Sequence, residues 1–205
     1  MGLYFKGEKY ILCPTDSYHL MLSLNSACVA SCIAKGSAYH VRTGFDVVKL
    51  NDEYTGPDTV MSSFRTPKPS EGPVMFRRGS KYYVLAGTAC CACIGGSTIY
   101  VLSAPSPKGP WTYQGDIGSN PGKFDSHSPN NYVTKAQGSA VIAIPNPSNS
   151  EAQYLWMGNQ WNSGLALKPP GPRNHDLLYW TVLDFNTNGT LNQVVYSETA
   201  TIQLA

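Results

Sequence analysis

A hairpin pattern that occurs twice in this chain constrains the fold more than any other feature. Residues 5–12 and 76–85 each predict a strand, a glycine-containing tight turn, and a second strand rich in aromatic and β-branched residues. The same offset of 72 residues relates Gly7 to Gly79. A looser third copy spans 141–157. A repeat of this kind is typical of folds that stack one supersecondary unit against the next.

Each copy is followed by a second predicted hairpin, and two hairpins make the four-stranded unit of a β-propeller blade. We therefore predict an all-β protein with radially arranged modules near 3–55, 74–115 and 140–185, and an added strand at 194–204. No segment shows a sustained helical period, and 17–33 is the nearest to one. The second hairpins are predicted at 45–54, 99–113 and 178–189.

Composition agrees with an all-β domain and excludes several functions. Charged residues make up only 14% of the chain, and 19 glycines and 15 prolines supply many turns. A net charge of +2 without a basic run gives no footprint for nucleic acid. No apolar run is long enough to span a membrane. We expect no cofactor and no metal.

The length predicts a partial propeller. A blade takes about 40–50 residues, so a single domain over 1–205 would hold about three to four. Met1 to Tyr4 enter a strand at once, and no signal peptide is visible. We expect N-terminal blades to be missing from this chain.

The six cysteines leave three interpretations open. Cys90, Cys91 and Cys93 form a cluster, but their spacing is not the paired spacing of a zinc site. Disulfides in a secreted protein are favoured over zinc, and buried free thiols remain the plain alternative. The sequence Asn188-Gly189-Thr190 is an N-glycosylation sequon in a predicted turn, which agrees with secretion.

Glu71 is the main candidate catalytic residue, because it lies directly ahead of a repeated hairpin. A carboxyl group at the mouth of a blade is well placed to act as a general acid in glycoside hydrolysis. Gln137 opens the third module, and an amide can hydrogen-bond a water or a sugar hydroxyl. It could equally be an ordinary polar residue at the start of a strand. Asn130 and Asn131, in a long polar loop before Gln137, are candidate ligands for sugar hydroxyls.

Several motifs resemble glycoside hydrolase family 43, which folds as a five-bladed β-propeller. Residues 71–76, 81–83 and 109–111 resemble the start, middle and end of that family's acid blade. The exo-β-1,3-galactanase-like branch is the more specific resemblance. Its motifs are matched at 1–4, 137–141, 158–161 and 179–185.

The resemblance implies an inverting hydrolase, extracellular in its full-length form, that acts on galactose-containing polysaccharide such as β-1,3-galactan. It assigns Glu71 as the general acid and Gln137 as the residue that orients the attacking water. Substrate binding would fall to Asn159, Gln160 and Trp161, in the segment that resembles a Gly-Asp-Arg-Trp element.

Two departures favour an alternative. Asn159 and Gln160 replace the family's Asp and Arg, and its Glu-Arg-Pro element does not occur in this chain. We therefore expect the 205-residue chain alone to be poorly active or inactive. The alternatives to a glycosidase are a catalytically silent carbohydrate-binding propeller and a propeller used as a platform for protein partners.

Overall fold

A computed structural model describes the chain in eight segments: 3–5, 8–14, 44–52, 55–89, 94–120, 131–148, 151–160 and 177–204. These segments form eleven β-strands and one short 3₁₀ turn at Ile94–Ser97. None of the helical structure in them is long and apolar enough to cross a membrane. The strands are β1 (Leu3–Phe5), β2 (Glu8–Pro14), β3 (Gly44–Leu50), β4 (Pro57–Arg65), β5 (Ser70–Arg78), β6 (Lys81–Thr88), β7 (Tyr100–Ala104), β8 (Thr112–Asp116), β9 (Ala136–Ile144), β10 (Gln153–Gln160) and β11 (Leu177–Val182).

The strands form three antiparallel sheets in chain order, as the repeat predicted. Sheet 1 has the order β1-β2-β3-β4, sheet 2 the order β5-β6-β7-β8, and sheet 3 the order β9-β10-β11. Both repeated hairpins are present, as β1–β2 and β5–β6. The opening strands lie at the sheet edges, and β5 lies next to β9 of the following sheet.

Sheet 1 extends further than the sequence predicted. The hairpin predicted at 45–54 is wrong after Leu50, because Asn51 and Asp52 belong to a turn. The Asn51 Oδ1 accepts the backbone N–H of Thr55 at 2.9 Å and so closes that turn. The outer strand is instead β4, which begins at Pro57. Proline is tolerated at the first residue of an edge strand, where its missing N–H breaks no ladder bond.

Sheet 2 is covered on both faces, which explains the unbroken apolar run in β6. Alternate β6 residues enter two different cores, because successive side chains of a strand point to opposite faces. Tyr83 and Leu85 pack toward sheet 3, together with Val74, Trp156 and other residues of that core. Tyr82 and Val84 pack toward sheet 1. The core toward sheet 1 contains Phe45, Val47, Phe64, Met75, Tyr82, Val84, Ala86 and Leu102.

Sheet 3 has three strands among the described residues, and the predicted strand at 194–204 is wrong. The backbone N–H of Val194 bonds to the carbonyl oxygen of Ile117, directly after β8 of sheet 2, whereas the backbone N–H of Gln203 bonds to the Gln153 side chain in β10. The segment thus makes isolated contacts to two different sheets. A continuous ladder along either sheet does not form.

The cysteines and the possible helix at 17–33 cannot be compared with the structure. Positions 15–43 and 90–93 lie outside the described residues, and Cys13 is described only as part of the β2 backbone. The disulfide, zinc and free-thiol interpretations therefore stay predictions.

Candidate active site

Glu71 and Gln137 occupy equivalent positions in two consecutive sheets. Glu71 is the second residue of β5, and Gln137 is the second residue of β9. Each strand has nine residues and opens its sheet. A glycine follows in both cases, as Gly72 and Gly138. The repeat therefore brings one carboxylate and one amide to the same end of neighbouring inner strands.

Both inner strands have a β-bulge directly after these residues. In β5 the pairing with β6 shifts between Glu71 and Val74, so one extra residue lies on β5. In β9 the pairing with β10 skips Ser139, again one extra residue. A bulge bends the strand and changes the direction of the side chains beside it. The two bulges thus bend both strands next to Glu71 and Gln137.

The two side chains are in direct contact. The Gln137 Nε2 donates a hydrogen bond to the Glu71 Oε1 at 2.6 Å. Gln137 is only 6% exposed, and Glu71 is partly exposed. This contact joins the opening strands of two adjacent sheets.

This bond is much shorter than the separation expected between a general acid and a water-orienting group. In inverting hydrolysis the acid and the group that activates water flank the sugar, about 6.5–9.5 Å apart. A direct bond of 2.6 Å leaves no room for a sugar and a water between the two side chains. In this conformation Gln137 therefore acts on Glu71 itself, and the amide fixes the position of the carboxylate.

Glycines allow the strands to approach closely at this place. Gly72 has a φ of +59°, and a Cβ there would lie 2.9 Å from the carbonyl oxygen of Gly138. At Gly158 a Cβ would lie 2.9 Å from the carbonyl oxygen of Gln137. Side chains at these positions would push β5, β9 and β10 apart. The contact between Glu71 and Gln137 thus depends on glycine in two strands, β5 and β10.

Trp156 lies beneath this part of sheet 3. Its side chain is fully buried, and a Cβ at Gly138 would lie 3.2 Å from its Nε1. The indole N–H has no hydrogen-bond partner among the described residues. Its ring makes an edge contact with the Tyr179 ring, and the two ring centroids lie 6.5 Å apart. Trp156 is therefore a core residue that supports the backbone around Gln137 from the side of sheet 2.

The predicted sugar-binding residues are distributed unevenly. Asn159 pairs with Gln137 across the β9–β10 ladder, so both side chains lie on the same face of the sheet. The Gln160 Nε2 donates to the carbonyl oxygen of Thr134 at 2.9 Å, which binds that side chain to the protein backbone. Asn131 is buried, and its carbonyl oxygen accepts the N–H of Asn120. The remaining two predicted sugar-binding residues, Asn130 and Trp161, lie outside the described residues.

Sequence reasoning missed a buried carboxylate at the end of β8. The Asp116 Oδ1 accepts the backbone N–H groups of Ile99 at 2.8 Å and Gly118 at 2.9 Å. Its Oδ2 accepts the Ser119 hydroxyl at 2.5 Å. These three donors make Asp116 a structural anchor for the loop after β8. The sequence gives no signal for this role.

A hydroxyl cluster was missed as well. The Thr88 Oγ1 shares hydrogen bonds with the Thr98 hydroxyl and with the Tyr100 hydroxyl, both at 2.9 Å. Burial raises the pKa of Tyr100 above its usual 10.0, the hydrogen bond with Thr88 opposes that shift, and the charge of Asp116 adds to it.

The described part of the chain contains no group of three or more His, Cys, Asp or Glu residues that could bind a metal ion.

Known proteins resemble this chain in structure rather than in sequence. No protein-family model matches the chain, and no curated protein matches its sequence. An exo-β-1,3-galactanase from Clostridium thermocellum superposes with a TM-score of 0.58 at 17% identity, over 73% of this chain and 28% of that protein. The fold is a β-propeller similar to that of family 43 glycoside hydrolases. Because the identity is low, the likeness establishes the fold and nothing finer.

Two further solved structures differ in substrate. A variant of the exo-β-1,3-galactanase from Phanerochaete chrysosporium, solved with β-1,3-galactotriose, has a TM-score of 0.53 at 18% identity, over 74% of this chain and 29% of that protein. A family 43 arabinoxylan arabinofuranohydrolase from Bacillus subtilis, solved with cellotetraose, has a TM-score of 0.50 at 19% identity, over 78% of this chain and 31% of that protein. The chain therefore spans less than a third of the length of each of these three proteins, and its fold is a partial five-bladed propeller.

Proposed function

We propose that this chain is part of a glycoside hydrolase that cleaves the O-glycosidic bonds of galactose-containing polysaccharide, with β-1,3-galactan as the substrate. The observation that carries the proposal is the Gln137–Glu71 hydrogen bond, which holds a partly exposed carboxyl group where two blades meet. The propeller fold of family 43 supports the same class of reaction. Two of the three structures described above are exo-β-1,3-galactanases, which supports galactan.

In the proposed reaction Glu71 acts as the general acid. It gives a proton to the glycosidic oxygen of the leaving group while water attacks the anomeric carbon from the opposite face, so the configuration inverts. An acid in position contributes about 10²–10⁴-fold to the rate. Gln137 holds the carboxyl group through its amide before the sugar binds. To orient the attacking water as well, Gln137 has to leave Glu71 when the sugar enters.

The competing proposal is a propeller that binds carbohydrate without cleaving it. Asn159 and Gln160 favour it, because neutral amides stand where the family motif has a carboxylate and a guanidinium. Amides next to one carboxyl group can hydrogen-bond sugar hydroxyls without supplying a second catalytic group.

The deciding experiment uses both the 205-residue chain and the longest open reading frame that contains it. Each is incubated with β-1,3-galactan and β-1,3-galactotriose. NMR follows the release of galactose and identifies the anomer that is released first. We expect the longer protein to release α-galactose from the non-reducing end, and the 205-residue chain to be poorly active. Glu71→Gln keeps the shape of the side chain and removes the acidic proton, so kcat falls about 10²–10⁴-fold while KM changes little.

Glu198→Gln is the matched control, because Glu198 is exposed and no contact joins it to the site among the described residues. It should keep the wild-type rate. Wild-type turnover in the Glu71→Gln variant would remove Glu71 from the role of acid. Calorimetric binding of galactotriose by both wild type and Glu71→Gln, with no galactose released by either length of chain, would favour the silent binding propeller.

A further inference from the structure

The exposed turn between β11 and the C-terminal segment contains the chain's only N-glycosylation sequon. Asn188-Gly189-Thr190 is the only Asn-x-Ser/Thr sequence here in which x is not proline. The turn is closed by two backbone bonds, from Asn186 N–H to the Thr190 carbonyl at 2.8 Å and from Gly189 N–H to the Asn186 carbonyl at 2.9 Å. The Asn188 side chain is exposed.

Side-chain contacts within the turn occupy one atom of the Asn188 amide. Its Oδ1 accepts the Thr190 backbone N–H at 2.9 Å and the Thr190 hydroxyl at 2.8 Å. The same hydroxyl accepts the Asn186 Nδ2 at 2.8 Å, so its one proton is directed to Asn188. No hydrogen bond of the Asn188 Nδ2 is found among the described residues. Nδ2 is therefore the amide atom that is able to take a substituent without breaking the turn.

The turn lies at the end of sheet 2 that is remote from the candidate site. The Lys81 Nζ donates to the Asn188 carbonyl at 2.9 Å, and the Tyr83 hydroxyl donates to the Gly189 carbonyl at 2.7 Å. Lys81 opens β6, whereas Glu71 pairs with Gly87 near its other end. Six strand residues separate these positions, which is about 20 Å. A bulky group on Asn188 would not cover Glu71.

We propose that the Nδ2 of Asn188 carries an N-linked oligosaccharide when the chain passes through a eukaryotic secretory pathway. The Nδ2 forms a bond to C1 of the first sugar, and the C1–O bond to the pyrophosphate of a lipid-linked oligosaccharide donor breaks. The Nδ2 proton passes to a base of the transferase, and the lipid pyrophosphate leaves. The modification is independent of the proposed hydrolytic function, because the carrier turn and the acid lie at opposite ends of the sheet.

Asn146 offers a matched control within the same chain. Asn146-Pro147-Ser148 has the same bond from residue i+2, with the Ser148 N–H donating to the Asn146 Oδ1 at 3.0 Å, but its proline blocks modification. The chain is fused to a cleavable secretory leader and expressed in yeast. Only molecules from which the leader has been removed are counted, since its removal shows entry into the compartment. Intact mass is measured before and after treatment with an endoglycosidase.

We expect one glycan on the wild type and on Asn146→Gln, none on Asn188→Gln or Thr190→Val, and two on Pro147→Gly. The glycosylated protein should unfold cooperatively at a temperature no lower than that of Asn188→Gln. Wild-type molecules without a glycan after removal of the leader would overturn the proposal. A mass shift that persists in Asn188→Gln would also overturn it, and so would a glycosylated form without a cooperative transition.

Discussion

The Gln137 amide nitrogen donates a 2.6 Å hydrogen bond to the carboxyl group of Glu71, and the two residues hold equivalent positions in consecutive blades. One repeat unit has thus supplied a carboxyl group and the next an amide at the same place. The amide can hold the carboxyl group without competing for its charge, which a second carboxylate could not do. In the proposed reaction Glu71 would be the acid, and Gln137 would hold it in position.

Replacement of Gln137 by Ala should test whether the amide positions the acid or orients water. Glu71 becomes negatively charged as it gives up its proton, and a hydrogen bond to a charged group is worth about 1.5–3 kcal/mol, so its loss should lower kcat about 10- to 100-fold. If the amide acts through Glu71, the double variant with Glu71→Gln is no slower than Glu71→Gln alone. Added azide should then fail to restore the hydrolysis rate of the Gln137→Ala variant.

Rescue of Gln137→Ala by azide would instead assign the water-orienting role to Gln137. The control is Gln153→Ala, because the Gln153 side chain bonds to Gln203 and makes no contact with Glu71 among the described residues. It should leave kcat unchanged.

Replacement of Gln137 by Glu should make stability depend strongly on pH. Two carboxyl groups in contact cannot both ionise without repulsion, so the folded variant retains a shared proton that the unfolded chain releases. Its free energy of unfolding should therefore fall, relative to wild type, as the pH rises from about 4 to 8, by about 2 kcal/mol. Urea unfolding at a series of pH values measures this. A difference that does not change with pH would show that the two side chains separate in the variant.

The repeat predicted the blades well where the pattern was strong. The hairpins β1–β2 and β5–β6 are found where glycine turns and aromatic strands predicted them. The pattern failed at β4, whose sequence begins with proline and contains two serines, and at 194–204, where no continuous ladder exists. Edge strands make fewer packing contacts, so their sequences are less constrained by the fold.

The site could be predicted only in part. The sequence indicated Glu71 and Gln137 because each opens a repeated strand, and in the structure each is the second residue of the strand that opens its sheet. The bulges after them and the close approach of Gly72 to Gly138 depend on how two sheets meet, which no local pattern records. For the same reason the direct bond between Glu71 and Gln137 could not be foreseen.

Two glycines with the same backbone conformation allow a test of the close approach. Gly72 and Gly79 have φ values of +59° and +56°. A Cβ at Gly79 would meet nothing within 4 Å, whereas at Gly72 it would lie 2.9 Å from the Gly138 carbonyl oxygen. Gly79→Ala should cost about 1–2 kcal/mol from the left-handed backbone alone. Gly72→Ala should cost about 1–3 kcal/mol more from the collision.

Urea unfolding measures both losses, and the rate of hydrolysis separates them further. Only Gly72→Ala should reduce activity, because it displaces the strand that contains Glu71. Equal losses of stability in the two variants would show that sheets 2 and 3 separate easily at this point.

Buried tyrosines should make the protein sensitive to alkali. Burial raises the pKa values of Tyr83, Tyr100, Tyr132 and Tyr154 above 10.0, and burial followed by the charge of Asp116 raises the pKa of Tyr113 to about 12. In the unfolded chain these groups ionise near pH 10. Between about pH 10 and 12 the folded state therefore binds more protons than the unfolded state, and stability falls as the pH rises through that range. Tyr113 is 43% exposed, so screening by water reduces its share.

Two measurements check this prediction. Tyrosinate absorbance of the folded protein should rise at higher pH than in denaturant, and the midpoint of urea unfolding should be constant below pH 9 and fall above pH 10. Tyr100→Phe tests one of these tyrosines. It removes the ionisable hydroxyl and, with it, the hydrogen bond to Thr88. It should lower stability at pH 8 by about 1 kcal/mol and make the alkaline loss shallower. A midpoint that is unchanged between pH 9 and 12 would show that these hydroxyls ionise as freely in the folded protein as in the unfolded chain.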